Sequence, residues 1–263
     1  MHSDVFDRYH DTKSFIHRLD PRVKAVVTVA FILSNALLPD GAWLAFGFSW
    51  LFLLFVNSFS NLGIGFTFKR SFVALPFALV AVTVLFSIPG KAITMFHFLM
   101  WNLTVTDMGL LRFMTILVRS WLSVQMAIML VSVARFPDIV HALEHLRVPA
   151  ILTTIIAFLY RYLFVLVDEV FRLLRAREAR SAAVVGARSG GGVMWRAGVA
   201  GNMAGQLFLR SYERSDRVYN SMLARGYSGH LMTINPHELR RVDYVTMALA
   251  IMIILLLQVI GRL

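Results

Sequence analysis

Between residues 168 and 241 the chain carries twelve arginines, no lysine and six acids. Segments apolar enough to be membrane helices flank this stretch, so whatever it does, it does with arginine beside a bilayer. A guanidinium offers a planar fork that can pair bidentately with a carboxylate, which an ammonium cannot do. Two of these arginines stand in similar settings, Ala179-Arg180-Ser181 and Ala224-Arg225-Gly226. The first motif closes a helix-like run from Val170 to Ala183, the second a run from Met203 to Leu223. Small neighbours leave each side chain unobstructed, and the negative end of a helix dipole favours a cation there.

Other residues suggest chemistry that the sequence does not complete. His141 and His145 share one helix face at i,i+4 with Glu144 between them, as a metal site would require. No third ligand is nearby and the order is not His-Glu-x-x-His, so the pair reads as the polar face of an interfacial helix. Gly186 to Gly192 lacks the Gly-Lys-Ser/Thr ending of a phosphate loop and follows no strand, so the chain is not expected to hydrolyse ATP itself. Arg119 falls inside an apolar segment, where an ionisable residue suggests function by default; snorkelling or pairing with a buried carbonyl gives it a structural role. With no cysteine, disulfides, cysteine zinc sites and thiol catalysis are excluded. An intramembrane enzyme would need paired carboxylates or a nucleophile dyad at membrane depth, and a standalone carrier ionisable or helix-breaking residues along its path. The apolar segments supply neither, so no catalytic residue, cofactor site or metal site is expected.

The elements that must position the arginines follow from composition. Hydrophobic residues make up 58% of the chain, with 21 Phe and a mean hydropathy of +0.68, which describes a polytopic membrane protein. The first 22 residues have no apolar core, so no cleavable signal peptide is expected. The net charge of +11 belongs at the membrane surface, and no nucleic-acid partner is expected. Expected spans are Val23 to Leu38, Ala42 to Phe59, Ser71 to Ile88, Phe113 to Val133 and Tyr244 to Ile260. Pro149 to Val167 is equally apolar. If it crossed, the arginines after it would lie opposite the basic 135–147 connection, against the positive-inside rule. Tyr160-Arg161-Tyr162 interrupts its centre, as suits an interfacial or packed helix. The expected fold is therefore all-α: about five transmembrane helices, N-terminus in and C-terminus out, plus a cytoplasmic coupling region of long amphipathic helices. Residues 1–133 form the membrane domain, 134–242 the coupling helices and 243–263 a last span packing with the membrane domain. The coupling region reads as a short helix from Pro137 to Leu146, a long one from Ala150 to about Ala183 bearing an Asp168–Arg172 pair, and another from about Val193 to Arg225. On the last of these, Phe208, Tyr212, Tyr219 and Leu223 share a stripe and Gly226 is placed as the C-terminal cap.

Three features together carry a family resemblance: Ile16-His17-Arg18-Leu19-Asp20-Pro21-Arg22-Val23-Lys24, the Phe158 to Arg180 run ending in Arg177-Glu178-Ala179-Arg180-Ser181, and Ala224-Arg225-Gly226-Tyr227. In this order the chain resembles, over nearly its whole length, the transmembrane T component of energy-coupling factor transporters, in its cobalt-type branch. Ser181 stands where Gly is usual. The resemblance implies a non-catalytic scaffold in a prokaryotic plasma membrane, joining two cytoplasmic ABC-type ATPase subunits to a membrane substrate-capture subunit. It implies that Ala179, Arg180, Ser181, Ala224, Arg225 and Gly226 dock the ATPases. It also implies cobalt as the cargo and a metal-specific capture subunit, with nickel as the close alternative and a vitamin such as biotin third.

Overall fold

The computed structural model describes residues 14–89, 91–98, 101–180, 192–229 and 239–263. The chain divides into two compact units, Met1–Leu146 with Pro236–Leu263, and Arg147–Asn235.

The first unit opens with a short turn, α1 (Phe15–Arg18), capped by the Ser14 hydroxyl, which accepts from the His17 amide. Asp20 then caps α2 (Pro21–Leu37), its carboxylate accepting from the Arg22 amide at 2.8 Å, with Pro21 at the first helical position. A tight turn through Gly41, at φ +86°, leads to α3 (Trp43–Ser60). The run expected as one span from Ser71 to Ile88 is divided. Its first residue ends α4 (Ile64–Ser71), a 3₁₀ turn covers Phe72–Ala74, and α5 is only Leu75–Ser87. The Ser71 hydroxyl accepts from the Trp121 indole at 2.9 Å and so fixes this bend from another helix. Between α5 and α6 (Asp107–Val133), β1 (Ala92–Phe98) pairs antiparallel with β2 (Trp101–Thr106) in a hairpin to which the sequence assigns no element. Thr106 closes it, donating to the Ile88 carbonyl and accepting from the Gly109 amide as the α6 cap. Helix α7 (Phe136–His145) packs against α2 and belongs to this unit.

Phe31, Phe46, Leu53, Leu122, Met126, Met129 and Ile254 form its core, the last from α10 (Arg241–Ile260). Helices α2 and α6 are antiparallel. Lys24 Nζ donates to the Val133 carbonyl at one end, and Asn35 to the Arg119 carbonyl at the other. Helices α2 and α10 are parallel: the Asp20 amide donates to Asp243 Oδ1 at 3.0 Å, and Gln258 donates to Ser34 Oγ at 2.7 Å some four turns later. Helix α6 therefore ends, and α10 begins, at the end of the body where α2 begins. At the opposite end Arg119 donates to the Leu38 carbonyl at 2.6 Å and faces Asp40 at 3.5 Å, with Arg112 on the other carboxylate oxygen. Arg119 is thus a clamp on the α2–α3 turn, its terminal nitrogen shared between a carbonyl and a carboxylate.

The second unit is a pair of long helices, α8 (Ala150–Arg180) and α9 (Val193–Ala224). Among the described residues, α3, α6, α8 and α10 are long and apolar enough to cross a membrane. The protein is an all-α membrane protein carrying one small hairpin.

Candidate docking site

Helices α8 and α9 run antiparallel. Glu169, largely buried, accepts from Arg210 of α9 at 2.6 Å, while Phe158 and Tyr162, two to three turns earlier on α8, share a groove with Met222 and Tyr227 near the end of α9. The same glutamate lies 3.8 Å from Arg172. The sequence pairs Arg172 with Asp168; the structure pairs it with Glu169, the acid that faces the neighbouring helix.

Each helix presents its motif differently. Arg180 is the last residue of α8, one turn after Arg177, and both it and Ala179 are exposed. Ser181 lies outside the described residues. Helix α9 ends in a Schellman motif: the Gly226 amide donates to the Leu223 carbonyl and the Tyr227 amide to the Met222 carbonyl, each at 3.0 Å. Gly226 sits at φ +82°, where an L side chain costs about 1–2 kcal/mol, so the Gly of Ala224-Arg225-Gly226 is required by the backbone. Met222 and Tyr227 line the same groove and supply the apolar contact that accompanies this cap. Arg225 is the C-cap residue itself, exposed at the turn.

Arg161, Arg214 and Arg217 gather beside Arg225 around a cavity of about 470 Å³ walled by Phe158, Tyr162 and Met222. The sequence shows Arg161 only as an interruption of an apolar run, and does not show that the antiparallel pairing puts it next to Arg225. That same pairing separates the two motifs. Arg161 marks the Arg225 end of the unit, and Arg180 lies roughly 28 Å further along α8. The structure therefore gives two cationic tips at opposite ends of one helical pair, not one arginine site. Each tip presents a guanidinium able to pair with a carboxylate. Phe208, Tyr212, Tyr219 and Leu223 of α9 are all about half exposed or more. Among the described residues, no group of three or more His, Asp or Glu side chains could hold a metal ion.

Comparison with known proteins places these features. The chain is 26% identical over 264 residues to an uncharacterised protein of Methanocaldococcus jannaschii, covering 98% of this chain and 86% of that protein. It is 28% identical over 241 residues to the energy-coupling factor transporter transmembrane protein EcfT of Lacticaseibacillus paracasei, covering 86% and 85%. Against EcfT of Leuconostoc gelidum it is 26% identical over 237 residues, again covering 86% and 85%. The model of the cobalt transport protein family, CbiQ, matches residues 12–234, a range that includes the Leu-Asp-Pro-Arg corner and both arginine tips. With that match spanning both units, the chain belongs to the CbiQ family of cobalt transport proteins, the transmembrane components of energy-coupling factor transporters.

Proposed function

We propose that the protein is the scaffold of an importer in which two cytoplasmic ABC-type ATPase subunits drive a separate membrane subunit that captures the substrate. The observation that carries this reading is the pair of exposed arginine tips, Arg180 and Arg225, at opposite ends of one antiparallel helical unit. Two identical or related ATPases would present two equivalent acidic grooves, and two separated guanidinium groups suit them. Each tip pairs with a groove carboxylate, in the geometry guanidinium favours. When the ATPases close on ATP, the grooves approach, the angle between α8 and α9 changes, and the capture subunit is tilted. The chain is non-catalytic, and ATP hydrolysis belongs to its partners.

The direction of the helices supports a cytoplasmic position for the arginine-rich stretch. Helix α6 ends and α10 begins at the same end of the first unit, so residues 134–240 leave and re-enter the body on one side and contain an even number of crossings. Helix α8 is apolar enough to cross but α9 is not, which leaves none. We take α2, α3, the α4–α5 run, α6 and α10 as the five crossings, α2 and α5 being 17 and 13 residues long and counted from their sequence, with the N-terminus in the cytoplasm and the C-terminus outside. This agrees with the excess of arginine between residues 168 and 241 on the inner face.

Cobalt is the cargo we propose, because the matching family is that of cobalt transport proteins. Nickel is the close alternative and biotin the third, since a scaffold need not touch what is carried. The test is purification of the chain with its co-expressed neighbours, followed by uptake of labelled cobalt and nickel into cells carrying the complete module. Two ATPase subunits and one membrane capture subunit are expected to co-purify, with cobalt accumulating. ATP-driven uptake by the chain alone in liposomes would overturn the scaffold reading, whereas uptake of neither metal would overturn only the cargo.

A further inference from the structure

Helix α7 carries a second feature that the scaffold role does not use. His141 and His145 project from successive turns with their Nε2 atoms 3.2 Å apart. Two imidazole nitrogens bound to one ion at about 2.0–2.1 Å with an angle between square and tetrahedral must themselves lie about 2.8–3.4 Å apart. The observed spacing falls in that range before any metal is added. The ring centroids are 4.6 Å apart and the ring planes nearly perpendicular, at 84°. The Glu144 carboxylate lies 3.9 Å from Nδ1 of His141. At that distance the carboxylate adds negative potential beside the pair without a hydrogen bond to the ring. His145 is exposed, so an ion can reach the pair from solvent.

We propose that His141 and His145 form a two-imidazole site for a divalent first-row transition metal ion, such as nickel, cobalt or zinc, with its remaining coordination positions open to water. Imidazole is suited to these borderline ions and not to calcium or magnesium. Two protein ligands make an exchangeable site and not a structural one, which agrees with the absence of a third ligand among the described residues. The site does not depend on cobalt being the cargo. It sits in the first unit, on a helix packed against α2, so a bound ion would stiffen one turn of the body.

The test uses the full chain, purified in detergent without a polyhistidine tag and stripped with chelator. Nickel is titrated calorimetrically into the wild type and into His141→Ala and His145→Ala, with the helical circular dichroism of each variant compared first. The chain's other histidines remain as a constant background. Each variant is expected to lose one equivalent of nickel, or to bind it at least roughly tenfold more weakly. Because the chain has no cysteine, His145→Cys provides a direct signature: the cobalt complex should gain a thiolate-to-metal charge-transfer band. Nickel isotherms unchanged in both alanine variants, or no charge-transfer band in the cysteine variant, would overturn the site and leave an ordinary hydrogen-bonded histidine pair.

Discussion

Single residues here act mainly through where they end a helix. Arg180 and Arg225 are exposed and contribute little to the fold, so their replacement tests docking alone. Arg180→Glu or Arg225→Glu should each release the ATPases in a co-purification assay, at a cost of about 2–5 kcal/mol in binding when a partly buried carboxylate loses its partner. Arg196→Glu, near the exposed start of α9, should leave co-purification unchanged; an equal loss in all three would point to a diffuse lipid-binding surface. Gly226→Val should act on the same function by another route. It forces a β-branched side chain to φ +82°, so the turn that aims Arg225 is lost without removing the charge. Asp243 is buried, and its two carboxylate oxygens accept from the Asp20 and Arg240 amides. Asp243→Ala leaves the buried Asp20 amide unpaired and should lower stability by about 2–3 kcal/mol, read as a fall in thermal unfolding midpoint in detergent.

At the scale of elements, the decisive contacts are those that no local pattern contains. The long coupling helices are legible in sequence: Pro149, the arginine-rich ends and Gly226 set α8 and α9 to within a few residues of their observed bounds. So is the corner before α2, where Asp20 and Pro21 form a cap and first turn. The division of the third apolar run is not legible, because Trp121, fifty residues away, fixes the bend at Ser71. Nor is the 92–106 hairpin, whose pairing depends on strands meeting across a turn. Whether Glu169 or Asp168 holds Arg172 depends on which face α9 occupies. That contact is testable. Glu169→Arg should loosen the α8–α9 pair, and adding Arg210→Glu should restore it, with a coupling of about 1 kcal/mol given that Arg210 is half exposed. Protease sensitivity of the pair would report it. Where α5 and α6 meet, Gly109 is a harder constraint. A Cβ there would stand 2.6 Å from the Leu85 carbonyl oxygen, so even Gly109→Ala should impair folding, visible as lower yield of monodisperse protein.

For the whole molecule, sidedness is the property that organises the rest, and a chain with no cysteine makes it simple to measure. Single-cysteine variants Leu263→Cys and Gly191→Cys, probed with an impermeant reagent in intact cells, should label and not label respectively; labelling at position 191 would require two further crossings within residues 134–240. The parallel pairing of α2 and α10 also has a consequence in time. The Asp20 amide and the Asp243 carboxylate are separated by 223 residues. At roughly 5–20 residues per second, the first helix waits on the order of 10–45 s in the bilayer before the residue that completes its opening corner is even made. Biogenesis of this protein is therefore gated at its last helix. Chains truncated before residue 243 should insert yet turn over quickly in a pulse-chase experiment, and a chain extended through Leu263 should be long-lived.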